Sequence, residues 1–170
     1  MLASSGLWGD LAFTSQHLTP SQRTFPSLAA WLHRRREGCR RLRLSFGSAG
    51  AGALRLLGGL GYGDCGLLAL ELSSHQPVDN SEAALVALRN LTRLTRLEAR
   101  GGLLGTSLPS HISCLRQLAV LDVSRNMRLG QHGGVAFQVL GALSASLTSL
   151  DLGSCGLRRL PASITALRRL

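Results

Sequence analysis

The chain has 170 residues, of which 45% are hydrophobic and only 4% aromatic, and its formal net charge is +10. This length and apolar content predict one globular unit with a core of its own rather than a disordered chain. No apolar run approaches the roughly 18 residues that a membrane helix requires, and the opening MLASSGLWGD lacks the basic start of a secretory signal. We therefore expect an intracellular, cytoplasmic protein with no membrane partner.

All 19 basic residues are arginine. Arginine pairs with carboxylates and phosphates through a fixed fork of N–H donors. The alternatives are codon usage in a GC-rich genome and a surface selected to bind nucleic acid. Nucleic-acid modules also interleave basic residues with exposed aromatic residues, a pattern that this sequence lacks. The composition therefore disfavours a nucleic-acid partner.

Residues 1–38 form an N-terminal segment with one predicted helix, in PSLAAWLHRRREG. Pro26 suits the start of this helix and Gly38 suits its end. Its apolar face holds Leu28, Trp31 and Leu32. The basic run His33 to Arg36 falls in the last turn, where cations are favoured by the helix dipole. We prefer this interpretation to a targeting or phosphate-binding signal.

From Cys39 onward, the pattern L-x-x-L-x-L recurs. The copies are Cys39-Leu42-Leu44, Leu67-Leu70-Leu72, Leu94-Leu97-Ala99, Leu118-Leu121-Val123 and Leu147-Leu150-Leu152, at spacings of 28, 27, 24 and 29 residues. Each copy predicts a short strand whose leucines point inward. Because no single copy can bury its leucines alone, we expect parallel pairing of consecutive strands around one continuous apolar row.

The segments between the strands predict the return of the chain along the other side. Helical spacing predicts helices over residues 53–60, 79–91 and 135–144, whereas the two L-P-x-x-I segments are shorter. The ninth position of each copy should bond the turning backbone, and it is occupied by His75, Gly102, Asn126 and Cys155. Only Asn126 and Cys155 suit that role.

The combined template L-x-x-L-x-L-x-x-N/C-x-L followed by L-P-x-x-I-x-x-L resembles that of leucine-rich-repeat proteins, and the resemblance covers residues 39–170. It implies an α/β fold, a curved solenoid of about five repeats with parallel strands on the concave face, helices or irregular returns on the convex face and an uncapped C-terminal end. It also implies a non-enzymatic module whose partner is another protein.

The stretch SSGLWGDLAF, near the N-terminus, resembles the tail of an F-box domain. This resemblance implies the substrate-recognition arm of an F-box ubiquitin ligase, whose adaptor would bind residues upstream of this chain. The alternatives are a scaffold protein of the cytoskeleton or ciliary axoneme and arginine-driven nucleic-acid binding.

Several motifs suggest chemistry without supporting it. The stretch GYGDCG over residues 61–66 fits G-x-G-x-x-G, but a helix is predicted before it and a strand after it, the reverse of a dinucleotide site. His111 and Cys114 supply only two metal ligands, and Cys114 is better explained as an apolar filler. The four cysteines form no C-x-x-C pair and are predicted to be reduced thiols. We expect no catalytic, cofactor or metal site.

The remaining candidate is the set of residues that point outward from the predicted strands. The protein-binding candidates on the concave face are Arg43, Glu71, Ser73, Arg96, Glu98, Arg100, Asp122, Ser124, Ser149 and Asp151. These side chains are either solvated, locally paired consensus residues or a docking surface for a partner. Carboxylates flanked by arginines suit a mixed-charge protein surface better than DNA, because carboxylates repel phosphates.

Overall fold

The computed structural model describes residues 9–14, 24–35, 37–46, 57, 65–78 and 85–170. These residues form an α/β fold with a single open sheet of six parallel strands in chain order. The strands are β1 (Asp10–Phe13), β2 (Arg41–Phe46), β3 (Ala69–Ser74), β4 (Arg96–Arg100), β5 (Val120–Asp122) and β6 (Ser149–Asp151). A parallel sheet in chain order requires the chain to return to the same end of the sheet after every strand. The topology is compatible with a solenoid-like repeat fold.

The register of the sheet confirms the predicted apolar row. One leucine from each strand aligns in it, namely Leu11, Leu42, Leu70, Leu97, Leu121 and Leu150. All but Leu150 are buried. Strands β2 to β6 are offset by the predicted spacings, since Arg41 pairs with Ala69, Ala69 with Arg96, and so on along the sheet. The side-chain period of two in a strand thus places every leucine on the same face.

Strand β1 precedes the first predicted copy and extends the sheet by one strand. It lies in the stretch that resembles an F-box tail, of which residues 4–8 lie outside the described ranges. Leu11 and Phe13 are buried in the same core as the repeat leucines. The boundary between residues 38 and 39 stays a prediction.

The predicted N-terminal helix is confirmed as α1 (Thr24–Arg35). Leu32 is buried, and the guanidinium of Arg35 lies 5.1 Å from the ring centroid of the half-buried Trp31. This cation–π contact covers one face of the indole. Within the described ranges, no helix combines the length and apolarity needed to cross a membrane.

The described returns that follow β3 to β6 are 3₁₀ segments, over Val86–Asn90, Ser110–Cys114, Leu129–Leu143 and Ala162–Ala166. The third is interrupted at Gly133, whose φ of +59° and ψ of −139° are not helical. The two L-P-x-x-I returns are the short turns that their sequence predicts. The helix predicted over 135–144 is 3₁₀ rather than α because its buried residues Phe137, Leu140 and Leu143 recur every three positions. A 3₁₀ helix has three residues per turn and aligns such positions on one face.

Two further predictions meet the structure only in part. The helix predicted over 53–60 lies mostly outside the described ranges. Of the helix predicted over 79–91, residues 85–91 are described, and Val86–Asn90 forms a 3₁₀ segment. Residues 61–64 of GYGDCG lie outside the described ranges, although the strand expected after that motif is observed as β3. The assignment of Cys114 as an apolar filler is wrong, because this side chain is exposed. Ile112 and Leu115 fill the core from this segment, and their spacing of three turns Cys114 toward solvent.

Candidate functional site

The candidate site is the face of the sheet opposite the leucine row. Its central column is Arg43, Glu71, Glu98, Asp122 and Asp151, each paired with the next across neighbouring strands. The predicted residues beside this column also align: Ser73 with Arg100, and Arg96 with Val120 and then Ser149. Ser124 follows β5 and is buried. We call these ten predicted residues the polar face, and the structure brings them together.

The first charge cluster of the polar face surrounds Glu71. The Arg43 guanidinium donates a hydrogen bond to Glu71 Oε2, and Arg41 Nε lies 3.8 Å from Glu71 Oε1. Arg41 Nη1 also lies 3.6 Å from Asp10 Oδ2. The hydrogen bond from Arg43 lowers the pKa of the Glu71 carboxyl and outweighs the opposing effect of burial. Glu71 therefore stays ionised to a lower pH than an unpaired glutamate does.

The second cluster is built on β4. Arg96 Nε donates to Glu98 Oε1 at 2.7 Å, and Arg100 Nη1 lies 3.0 Å from Glu98 Oε2. Arg100 also reaches the next strand, where its Nη2 lies 2.5 Å from Asp122 Oδ2. Because alternate residues of a strand share a face, Arg96 and Arg100 lie on either side of the Glu98 carboxylate on β4. The contact between Arg100 and Asp122 links β4 to β5.

Asp122 and Asp151 occupy equivalent positions in different surroundings. Asp122 Oδ1 accepts a hydrogen bond from the Ser124 N–H at 2.9 Å, and Asp151 Oδ1 accepts one from the Gly153 N–H at 2.8 Å. Burial alone would raise the pKa of the Asp122 carboxyl, but the hydrogen bonds from Arg100 and Ser124 outweigh it and hold this pKa below its ordinary value. Asp151 forms no ion pair with any described arginine and is exposed.

In the second cluster, the carboxylates are buried and the arginines paired with them are the exposed side chains. The Glu98 and Asp122 side chains are 7% and 9% exposed, whereas those of Arg96 and Arg100 are 43% and 44% exposed. The sequence predicted a column dominated by carboxylates, and the structure places Glu98 and Asp122 of that column beneath arginines, whereas Asp151 is exposed. The exposed part of these clusters is therefore a set of anchored guanidinium groups. Asp10 and Arg41 join these clusters although neither is among the ten predicted residues. Arg41 is predicted to point outward from its strand, and the alternating pattern DLAF was the available signal for Asp10.

The turn after β5 is held by Asn126, as the ninth-position pattern predicts. Its Nδ2 donates to the carbonyl oxygens of Ala99 and Val123, both at 2.7 Å, and its Oδ1 accepts from the Leu104 N–H at 2.9 Å. The Cys155 thiol donates to the same Val123 carbonyl at 3.1 Å. Asn126 thus ties the turns after β4 and β5 together.

Two further ninth positions, those of the second and third copies, make no such bond to any described residue. His75 is exposed, and Gly102 has a φ of +83°, a conformation that L side chains rarely adopt. An added Cβ there would also lie 3.2 Å from Pro77 Cα. The prediction that only Asn126 and Cys155 fit the role is confirmed.

The described residues do not assemble a metal cluster, since no three His, Cys, Asp or Glu side chains among them come together. Burial raises the pKa of the Cys39 thiol to about 12 and also raises the pKa of Cys155. Both thiols are therefore protonated at neutral pH and unsuited to nucleophilic attack. The absence of enzymatic activity stays a prediction.

Comparison with known protein families finds no family model that matches this chain, and comparison with curated proteins finds no match either.

Proposed function

We propose that this chain is a leucine-rich-repeat module that binds another protein through the polar face, which lies on the concave side of the stack. The in-register leucine row, the spacing of its strands and the Asn126 and Cys155 bonds support the repeat assignment. The observation that carries the functional part is the set of partly exposed arginines anchored on buried carboxylates.

Anchored arginines suit protein recognition for two physical reasons. A guanidinium already fixed by a carboxylate loses little further side-chain freedom when a partner binds, so the entropic cost of association is lower. Arginine is also among the residues enriched at the energetic centres of protein interfaces. The same clusters oppose DNA binding, because the carboxylates beneath them cancel the positive field that attracts phosphates.

Site-specific photocrosslinking tests the polar face directly. A benzophenone amino acid at Ser73 or Ser149 leaves every charged residue of the polar face in place, and the same probe at the exposed Gln138 samples the return side. We expect a discrete adduct from the two polar-face positions in cells that express the chain, and none from Gln138. Identical adducts from both sides of the sheet, or none from the polar face, would refute the proposal.

Charge reversal gives the matched second test. Arg96→Glu with Arg100→Glu should abolish the polar-face adduct, whereas Arg89→Glu with Arg93→Glu, which changes two exposed arginines before β4, should leave it intact. Far-UV circular dichroism of both variants checks that the fold persists. Loss of the adduct in both variants would indicate a nonspecific charge effect and contradict the assignment.

The narrower proposal is that the bound protein is the substrate of an F-box ubiquitin ligase. It is supported by the resemblance of SSGLWGDLAF to an F-box tail and by the direct pairing of β1 with β2, which would join such a domain to the repeats without a linker. Co-purification of the ligase adaptor with the protein expressed from its natural gene tests this proposal. A protein that never recruits the adaptor while still forming the polar-face adduct would favour the scaffold alternative.

A further inference from the structure

A second charged surface adjoins the polar face and shares Ser73 and Arg100 with it. Where β3, β4 and β5 end, the structure has a cleft of about 590 Å³. It is lined by Ser73, Ser74, His75, Pro77, Arg100, Gly101, Gly102, Leu104, Arg125, Met127 and Arg128. Carboxyl ends of parallel strands are a recurrent place for ligands in open sheets. Among the described residues that line this cleft there is no carboxylate, while three of them are arginines.

Two of these arginines are available to a ligand. Arg100 is held by Glu98 and Asp122, but the side chains of Arg125 and Arg128 are exposed and form no ion pair or hydrogen bond with any described residue. Asp122, three residues before Arg125, already uses both carboxylate oxygens on Arg100 and Ser124. These two cations therefore lack a partner within the described part of the chain.

The turn that carries them is rigid. Arg125 has a φ of +62°, and its N–H donates to the Gly153 carbonyl at 2.7 Å. Asn126, fully buried between the two arginines, fixes the same turn through its side-chain bonds. The cations are thus mounted on a preformed backbone, which reduces the ordering cost of binding an anionic ligand.

The residue between the two cations in the sequence that is exposed and apolar is Met127. Met127 is 70% exposed, whereas Leu104 at the base of the cleft is buried. An exposed thioether would make no favourable contact with a simple phosphate. A peptide that alternates carboxylates with large apolar side chains would contact both the arginines and Met127. The described lining residues also include no aromatic side chain on which a nucleobase could stack.

The same combination recurs after β6. A neighbouring cleft of about 930 Å³ is lined in part by Arg158, Arg159 and Leu160, and Leu160 is 76% exposed. The turns after β5 and β6 are linked where the Gly130 N–H donates to the Cys155 carbonyl at 2.8 Å. We call Arg125, Met127, Arg128, Arg158, Arg159 and Leu160 the carboxyl edge. It presents two pairs of arginines, each beside an exposed apolar side chain.

We propose that the carboxyl edge binds an extended acidic segment of a partner protein, in which carboxylates are interspersed with large apolar residues. The carboxylates pair with Arg125 and Arg128, and an apolar side chain of the segment packs on Met127. The formal charge of +10 favours such a partner at long range. The assignment does not rest on the function proposed for the polar face, because it uses different residues.

Fluorescence anisotropy tests the carboxyl edge with the full chain and a fluorescein-labelled peptide, EELEEELEE. We expect saturable binding, no binding of QQLQQQLQQ, and weaker binding of EESEEESEE because serine offers Met127 no apolar contact. Failure of the full chain to bind EELEEELEE, or equal affinity for the serine peptide, would overturn the proposal. Displacement of EELEEELEE by oligothymidylate at equal concentration would also overturn it and assign the edge to phosphates.

Two variants of equal charge sharpen the test. Arg125→Asn with Arg128→Gln should weaken peptide binding about tenfold, since each exposed charge pair contributes a modest free energy. Asparagine tolerates the positive φ at position 125. Arg89→Gln with Arg93→Gln removes the same charge before β4 and should change affinity less than about twofold. Equal loss in both double variants would show nonspecific attraction and overturn the proposal.

Single variants keep the test decisive if the double variant does not fold. Arg128→Gln alone should weaken binding about threefold, and unchanged affinity would contradict the proposal. Arg96→Gln, in the polar face, should leave peptide affinity unchanged. Ser149 lines neither cleft, so its adduct separates the two proposals. Failure of crosslinking at Ser149 with normal peptide binding would reject only the polar face, and the converse result would reject only the carboxyl edge.

Discussion

Strands β5 and β6 carry nearly the same sequence, LDVS at residues 121–124 and LDLG at 150–153, yet their environments differ. Leu121 is fully buried, whereas Leu150 is only half-buried. Asp122 is buried against Arg100, whereas Asp151 is exposed. The same local pattern is therefore expected to contribute more to the free energy of unfolding in β5 than in β6.

The difference arises from the neighbours of each strand. β5 pairs with a strand on each side, while β6 pairs only with β5 within the described part of the chain. In a stack of similar units, burial and charge pairing come from contacts between units rather than from the local sequence. Matched substitutions in β5 and β6 can measure how much stability those contacts supply.

The largest expected contrast is in the apolar row. Leu121→Ala should lower the free energy of unfolding by about 3–4 kcal/mol, because it leaves a cavity in a fully packed site, whereas Leu150→Ala should cost only about 1 kcal/mol. Urea denaturation followed by circular dichroism measures both values. Equal losses would mean that Leu150 is as well covered in solution as Leu121, and would remove the contrast between the two strands.

The next contrast is between the turns that follow these strands. Asn126→Ala removes the donor to Ala99 and Val123 and leaves the Leu104 N–H without its acceptor. The expected loss is about 2–3 kcal/mol, because buried polar groups then lack partners. Cys155→Ala removes one thiol hydrogen bond and a small side chain, and should cost about 1 kcal/mol. A Cys155→Ala loss as large as that of Asn126→Ala would contradict the central role given to Asn126.

A smaller contrast is expected between the paired carboxylates. Asp122→Asn weakens the bonds to Arg100 and should cost about 1–2 kcal/mol, since charge-assisted hydrogen bonds are stronger than neutral ones. Asp151→Asn should change stability by less than about 0.5 kcal/mol, as is usual for exposed positions. Double-mutant cycles with Arg100→Gln should show much stronger coupling to Asp122, which Arg100 contacts, than to Asp151, which acts on Arg100 without an ion pair. Equal coupling to both would contradict the observed pairing.

The sequence predicted the strands, their register and the polar column because these depend on a period of two and a repeat spacing, both of which are local to the pattern. It predicted the role of Asn126 for the same reason. It could not predict that Asp122 lies beneath an arginine, because that contact depends on Arg100 reaching across to the next strand. Such a contact joins residues 22 positions apart and leaves no periodic signal.

The return segments show a second limit. The segment around Phe137 contains apolar residues that fit either a 3.6-residue or a 3.0-residue period over so short a distance, and the choice between α and 3₁₀ geometry depends on the row it packs against. Cys114 was misplaced by the same ambiguity, since a small change of period moves it from the core to the surface. Both errors concern the angular position of a side chain and leave the order of the elements unaffected.

The smallest expected effect is the pH dependence of stability on β5. Hydrogen bonds from Arg100 and Ser124 lower the pKa of Asp122 below its ordinary value of 3.8, so the unfolded chain binds this proton more readily than the folded chain does. The stabilisation is therefore complete above that ordinary value and is lost as the pH falls through the lowered pKa. Urea midpoints measured from about pH 7 down to about pH 2.5 should decline in this window, and Arg100→Gln should flatten the decline. Arg168→Gln removes the same charge from an exposed position away from the sheet and should leave the profile unchanged. Parallel profiles for the two variants would show that Arg100 does not set the titration of Asp122.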